Sequence, residues 1–284
     1  AEIDALRPVP LRGGGAAWQD DIAVQHIIQN ANWKRPIYFS VTVPSEKWQP
    51  YADYLEMQGM ARRLVPRKGT DMFNEFLVAR NFDEIFLYRG VLTKNFERDT
   101  TLYRDKATQD AYINFAVAMA QLGQRKGMEN DYPEAIRRMR MSLAFDPTFK
   151  AAKVLLGTYY LMNDDASDAI DNYVRAIRED PHEGEYWVRL ARVYEYQREL
   201  PTALDNIDQG IRMAPGYRQL YIDGFRDAAQ MGQADLAKSY IAAWLRGHPD
   251  DEQLRNVFQG IDKILEEEYG IKQAGAVPPP EGAK

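Results

Sequence analysis

Pro147, Pro181, Pro215 and Pro249 stand 34 residues apart. Proline has no backbone N–H and clashes with the preceding helical turn, so it closes a helix. Four such closures in one register confine the chain to a single structural unit repeated four times. Thirty-four residues is the length of two short helices with their turns. Twelve residues before each proline stands alanine: Ala135, Ala169, Ala203 and Ala237. A small side chain is required there because two helices cross closely. Eight before the proline stand Met139, Tyr173, Ile207 and Ile241, large enough to fill the groove between neighbours. Five before it stand Ser142, Ala176 and Gly210, but Trp244 in the last unit, which predicts different packing there.

The first helix of each unit shows the same order. Leu156-Gly157 with Tyr160 marks the second unit, and Trp187, Leu190, Ala191 and Tyr194 mark the third. The first has Met119 and Leu122-Gly123, with Lys126 where an aromatic is expected; the fourth has Tyr221 and an inverted Gly224-Phe225. Asp131-Tyr132-Pro133-Glu134-Ala135 opens a second helix with an acidic cap and a first-turn proline. Over residues 108–250 the pattern resembles tetratricopeptide (TPR) repeats. The expected fold is mainly α: four TPR units, then a capping helix over 250–268 with Leu254, Val257, Phe258, Ile261, Ile264 and Leu265 at helical spacing. Such a solenoid implies protein binding rather than chemistry.

Composition narrows the function classes. A net charge of −6 and a pI near 5.3 argue against nucleic acid, which calls for a basic face. No cysteine is present, which removes disulfides, thiol catalysis and cysteine-based zinc sites. The longest uncharged stretch, 111–124, is too short to span a bilayer. The chain opens on Ala1, as expected if a signal was removed or the chain belongs to a longer protein.

Ahead of the repeats the character changes. Residues 1–17, with Pro8, Pro10 and Gly13-Gly14-Gly15, read as an irregular arm. Residues 18–107 read as a small α/β and helical region: a helix over 18–31 with Ile22, Val24, Ile27 and Ile28 apolar, and a strand over 36–43. Alternation of Leu55, Met57 and Gly59 favours a second strand over 54–65 above a short helix, ended by Pro66. Residues 71–107 are expected to be mostly helical with breaks, their Phe73, Phe76, Leu77, Phe82, Ile85, Phe86 and Tyr88 packing against the first repeat. The solenoid and cap occupy 108–268, and 269–284 is a Pro/Gly-rich tail.

Asn32-Trp33-Lys34-Arg35-Pro36-Ile37-Tyr38-Phe39, then Tyr54-Leu55-Glu56-Met57-Gln58-Gly59 and Arg63-Leu64-Val65-Pro66, resemble segments of a bacterial family of multi-spanning proteins. That family is related to the GT-C protein O-mannosyltransferases, and its members often carry C-terminal TPR units. The membrane helices that hold the family's catalytic acids have no counterpart here, so no transferase residue carries over. The resemblance implies a soluble, extracytoplasmic, membrane-associated region of such a protein, or a free-standing accessory subunit docked on another membrane complex.

No catalytic constellation emerges. His26, His182 and His248 lack metal-ligand spacing, and Gly13-Gly14-Gly15 is neither GxGxxG nor a P-loop, so neither a metal nor a cofactor is expected. A soluble enzyme with a site between the N-terminal region and the repeats has no motif behind it. Binding is expected on the first helices, whose register projects Thr158, Arg189, Arg192, Tyr196, Asp223 and Arg226 into the groove. The arginines and the tyrosine suit an acidic or C-terminal peptide. The carboxylate-clamp pattern is not met: Ala120, Gln124, Leu155 and Glu185 occupy its Lys and Asn positions, and only Arg189 fits. The Trp33, Lys34, Arg35 turn has two readings. Either Trp33 anchors the turn in a core, or the turn touches a membrane domain or anionic lipid.

Overall fold

The structure, a computed structural model, describes residues 19–66, 73–88, 91–93, 97–101 and 105–271. The expected arm (1–17) and the segment 273–284 lie outside them. The chain divides into two compact units, Ala1–Phe149 and Lys150–Lys284.

The first unit starts with α1 (Gln19–Ala31) and β1 (Tyr38–Ser40). A short α2 (Ser45–Trp48) runs into a 3-10 turn (Gln49–Tyr54), followed by β2 (Leu55–Met57) and β3 (Ala61–Leu64). The three strands form an antiparallel sheet in the order β1-β3-β2, pairing Phe39 with Arg62 and Leu55 with Leu64. The single strand expected over 54–65 is therefore a hairpin. Gly59 turns the chain at φ 94°, a conformation open to glycine at no steric cost. Phe39, Tyr51, Leu55 and Leu64 meet Ile28 of α1 in a small core, while Ile22 and Ile27 of the same helix face outward.

Helix then returns only briefly. Over 71–107 the described residues are helical at α3 (Glu75–Arg80) and a π turn (Asn81–Ile85), while Leu92 and Arg98 form an isolated bridge. Helix takes about half of the described residues of this stretch, and its aromatics pack on the first repeat. Phe73 and Phe82 share a core with Met119 and Leu122 of α4 (Lys106–Met128) and Met141 and Phe145 of α5 (Tyr132–Phe145). Phe76 is the exception, standing in solvent. An ion pair locks the arrangement: Arg138, buried on α5, donates to both oxygens of Asp83 at 2.8 and 2.5 Å and to Glu134 at 2.7 Å.

The second unit is built of hairpins. These are α6 (Lys150–Met162) with α7 (Ala166–Glu179), α8 (Gly184–Tyr196) with α9 (Leu200–Met213), and α10 (Arg218–Gln230) with α11 (Ala234–Gly247). Together with the α4–α5 hairpin they are the four TPR units. Ala135, Ala169, Ala203 and Ala237 are all completely buried, as the crossing requires. Gly157 shows how close that crossing is: a Cβ there would lie 2.4 Å from the ring of Tyr173, whose hydroxyl is tied to the Val154 carbonyl at 2.9 Å. Trp244 does pack differently. It leans on Tyr221 at 5.2 Å, stacks on His248 at 3.6 Å and donates from Nε1 to Asp251 at 2.9 Å.

The cap is two helices, α12 (Glu252–Gln259) and α13 (Ile261–Tyr269), broken at Gly260 where one was expected. The break lets Leu254, Ile261 and Leu265 all reach the core. Phe225 occupies the register position of Gly123, Gly157 and Ala191, and meets Tyr269 edge-on at 6.2 Å. The small residue of the fourth unit has moved to Gly224, whose missing side chain makes room for the Tyr240 ring.

A second periodic feature lies in the turns. Asn130, Asp164, Arg198 and Gly232 all have left-handed backbones, with φ of 62°, 61°, 64° and 74°. After each comes the same bond from the next residue's N–H to a carbonyl five back: Asp131 to Lys126, Asp165 to Tyr160, Glu199 to Tyr194 and Gln233 to Ala228. This is the Schellman ending of a helix. Glycine, asparagine and aspartate tolerate it, whereas for an arginine with a Cβ it costs about 1–2 kcal/mol. Arg198 is exposed. Arg198→Gly is therefore expected to stabilise the protein by about 1 kcal/mol, read as a higher urea midpoint. In contrast, Gly157→Ala is expected to cost about 1–3 kcal/mol despite alanine's better helix propensity, because the Tyr173 ring must move.

Candidate functional site

In the second unit α8 packs against both α6 and α10, so these first helices form one face. The expected groove residues on it engage other groups of the same unit. Thr158 bends back to the Val154 carbonyl at 3.0 Å and lies 3.2 Å from the Tyr173 hydroxyl. Burial pushes that hydroxyl up to about 12, partly offset by the Thr158 hydrogen bond. Tyr196 is exposed, but its hydroxyl donates to Asp164 at 2.6 Å.

The charged residues form a network. Lys150 pairs with Glu183 at 2.8 Å and Glu185 at 3.4 Å, and Glu185 meets Arg189 at 3.2 Å. Arg192 reaches Asp223 at 3.3 Å. Arg226 holds three carboxylates: Asp223 at 3.0 Å, Glu195 at 2.8 Å and Asp227 at 3.4 Å.

Asp223 corrects the expectation. It does not project into the groove as a free carboxylate; it is fully buried and accepts from Gln219 at 2.9 Å as well as from both arginines. A charge on an interior helix is tolerated only when donors surround it. Arg226 is thus committed to three internal acids, and Arg192 gives one bond to Asp223. Arg189 differs. Its Nη2 bond to Glu185 is its one hydrogen bond among the described residues, and its Nε is buried without an acceptor.

In the first unit the Trp33 turn takes a left-handed course, with φ of 41° at Asn32 and 58° at Trp33. The indole packs half-buried against the small core, and Lys34 and Arg35 are exposed. Trp33 thus anchors the turn in the small core, and the turn displays two cations.

The histidines are separate. His26 is exposed, His182 Nδ1 lies 2.8 Å from the Met213 carbonyl, and His248 stacks on Trp244. Among the described residues no group of three His, Asp or Glu is placed to hold a metal, and no helix is long and apolar enough to cross a membrane. Gly13-Gly14-Gly15 lies outside the described residues.

Residues the sequence reading missed include Glu195 and Asp227, which complete the network. Glu195 carries a signal in the sequence, three residues after Arg192 on one helix face, and Asp227 stands four after Asp223.

Comparison with known proteins gives the following. Residues 10–81 match the family model TMEM260-associated domain 2. TMEM260 is a GT-C-like O-mannosyltransferase, and the three motifs that carry the resemblance fall inside the match. No curated protein matches the chain. Among solved structures, MamA is 22% identical over 54% of this chain and 99% of its own, with a TM-score of 0.41. A thermophilic TPR protein of Thermus thermophilus is 17% identical over 51% of this chain and 80% of its own, at 0.42. A mutant O-GlcNAc transferase of Thermobaculum terrenum is 18% identical over 51% of this chain and 27% of its own, at 0.40.

The burial of Asp223 has a direct consequence. Asp223→Ala strips three donors of their acceptor; because Arg192 and Arg226 are about one-third exposed, water offsets part of the loss. The expected destabilisation is about 2–3 kcal/mol, measured by chemical denaturation.

Proposed function

We propose that this chain is a non-catalytic protein-interaction scaffold at the extracytoplasmic side of a membrane, serving as the TPR-bearing region of a glycosyltransferase-like membrane protein. The observation that carries the reading is Arg189. A guanidinium has five N–H donors in a planar fork matched to a carboxylate. Arg189 gives one of them to Glu185 and keeps a buried Nε without an acceptor. The sealed Nε is out of a partner's reach, but the side chain is 32% exposed on the α6–α8–α10 face, so a partner's carboxylate meets the guanidinium donors that Glu185 has not taken. Arg192 and Arg226 frame that position while held by their own acids. Thr158, Tyr196 and the buried Asp223 shape the wall around it.

The match over residues 10–81 supports the tie to a membrane glycosyltransferase. The Trp33 turn, with Lys34 and Arg35 exposed beside a fixed indole, is the contact assigned to the membrane part or to anionic lipid.

One observation favours a second reading, an accessory subunit docked on a different membrane complex. Phe76 and Leu87 of the first unit are 73% and 76% exposed, an apolar surface that suits a protein neighbour.

The test is capture from the source membranes in mild detergent with the full chain as bait. Recovery of a GT-C-like membrane protein supports the first reading, and a different complex in fixed stoichiometry supports the second. Arg189→Ala is expected to weaken capture about tenfold, or about 1.4 kcal/mol, with an unchanged melting temperature. Undiminished capture by this variant would remove Arg189 from the contact.

A further inference from the structure

Between α8 and α10 lies a charge imbalance. Arg192 and Arg226 contribute two positive charges; Glu195, Asp223 and Asp227 contribute three negative ones. Asp223 and Asp227 are completely buried. Asp223 is satisfied by its three donors. Asp227 is not: one oxygen has a long 3.4 Å bond from Arg226, and the other, Oδ2, is buried with no donor at all.

The remaining neighbours do not repair this. From α11, Tyr240 senses the Asp227 charge, but its hydroxyl is given to Asp208 of α9 at 2.7 Å. From α13, Tyr269 senses it too, with Glu268 beside it adding negative charge. Lys238 of α11 is held by Asp262 at 2.5 Å. Glu195 is the carboxyl neighbour across the helix pair: Arg226 Nη2 donates to its Oε1 at 2.8 Å and to Asp227 Oδ1 at 3.4 Å, so one nitrogen draws the two acids together. Two carboxyl groups brought together can bond to each other only when one of them carries a proton.

We propose that this cluster is a proton-binding site: Asp227 and Glu195 share one proton, held where α8 packs on α10 and released at the expense of that contact. The proton comes from solvent and returns to it. With it bound, Asp227 Oδ2 becomes a donor toward Glu195 and the two arginines balance the two remaining negative charges. Without it, two carboxylates converge on one guanidinium nitrogen and the buried Asp227 Oδ2 has no donor. The site goes beyond the scaffold reading and stands whether or not Arg189 binds a partner.

Burial, and next the charge of Glu195, push Asp227 up to about 7. Burial, with Asp223 nearby, also pushes Glu195 up. A carboxyl raised on folding makes the folded state bind more protons than the unfolded one between the two pKa values. Stability then falls as pH rises from about 4, the unfolded value, to about 7, and levels off above.

The experiment is a carboxyl-carbon NMR titration of the full chain labelled at Asp and Glu, run beside thermal melts from about pH 5 to pH 8. The expected result is one carboxyl signal titrating about two or more pH units above the ordinary range, absent in Asp227→Asn. The variant's neutral amide imitates the protonated acid, so it is expected to flatten the fall in melting temperature across that range and to melt above the wild type at its alkaline end. Glu195→Gln, at a partly exposed position, is expected to lower the midpoint of the remaining signal toward the ordinary range. Titration of every wild-type carboxyl within the ordinary acidic range would overturn the proposal, whatever the variants do. So would an Asp227→Asn protein that loses as much stability at the alkaline end as at the acidic one.

Discussion

How closely two helices of one hairpin approach each other governs the helical part of this protein. A helix pair with large residues on both sides of its crossing stands too far apart for its neighbours to share a continuous core. Here the crossing is made by a completely buried alanine on one helix and, in the second unit, by a glycine against a tyrosine ring on the other. The approach fixes the rest. It sets the length of chain that turns between the helices, and hence the left-handed residue recurring at Asn130, Asp164, Arg198 and Gly232. It also brings the first helices of successive hairpins side by side. Where the pattern is relaxed, something compensates: Phe225 takes the glycine's register position and finds Tyr269 of the cap.

The same closeness explains the electrostatics of the candidate face. Side chains on adjacent first helices lie within reach of one another, so acids and arginines satisfy each other before any partner arrives. Arg226 illustrates this, engaging acids on its own helix and on α8. A row of arginines in sequence is therefore a poor guide to free positive charge. Arg189 and Asp227 are informative because the network leaves each of them incomplete, one short of an acceptor and the other short of a donor. The two deficits on this face are opposite in sign and call for different chemistry.

Legibility followed the nature of the signal. Periodic features were plain, because one physical demand was repeated four times in the chain: the prolines, the buried alanines and the large groove-filling residues all stand where expected. Single events were harder. The hairpin at Gly59 was hidden because alternation reads the same through a strand as on either side of a tight turn. The break at Gly260 was hidden by an apolar pattern compatible with one helix or two. The aromatic stretch after Phe73 carried apolar area enough for helices and is helical over 75–85, yet the described residues between Ile85 and α4 follow an irregular path.

By itself the sequence determined the number of repeats, their length, their buried positions and the need for a cap, because these are local demands of backbone and side-chain size that recur with the period. It also carried the resemblance of the first third, in motifs that fall inside the family match. Only the tertiary structure decided which charges are free. Whether an aspartate such as Asp223 faces solvent or is sealed depends not only on Arg226 one turn along its own helix but on Arg192, 31 positions away on α8. Periodicity says which face a side chain leaves from, but the energy of a charge depends on what stands opposite it, and that is settled when the helices pack.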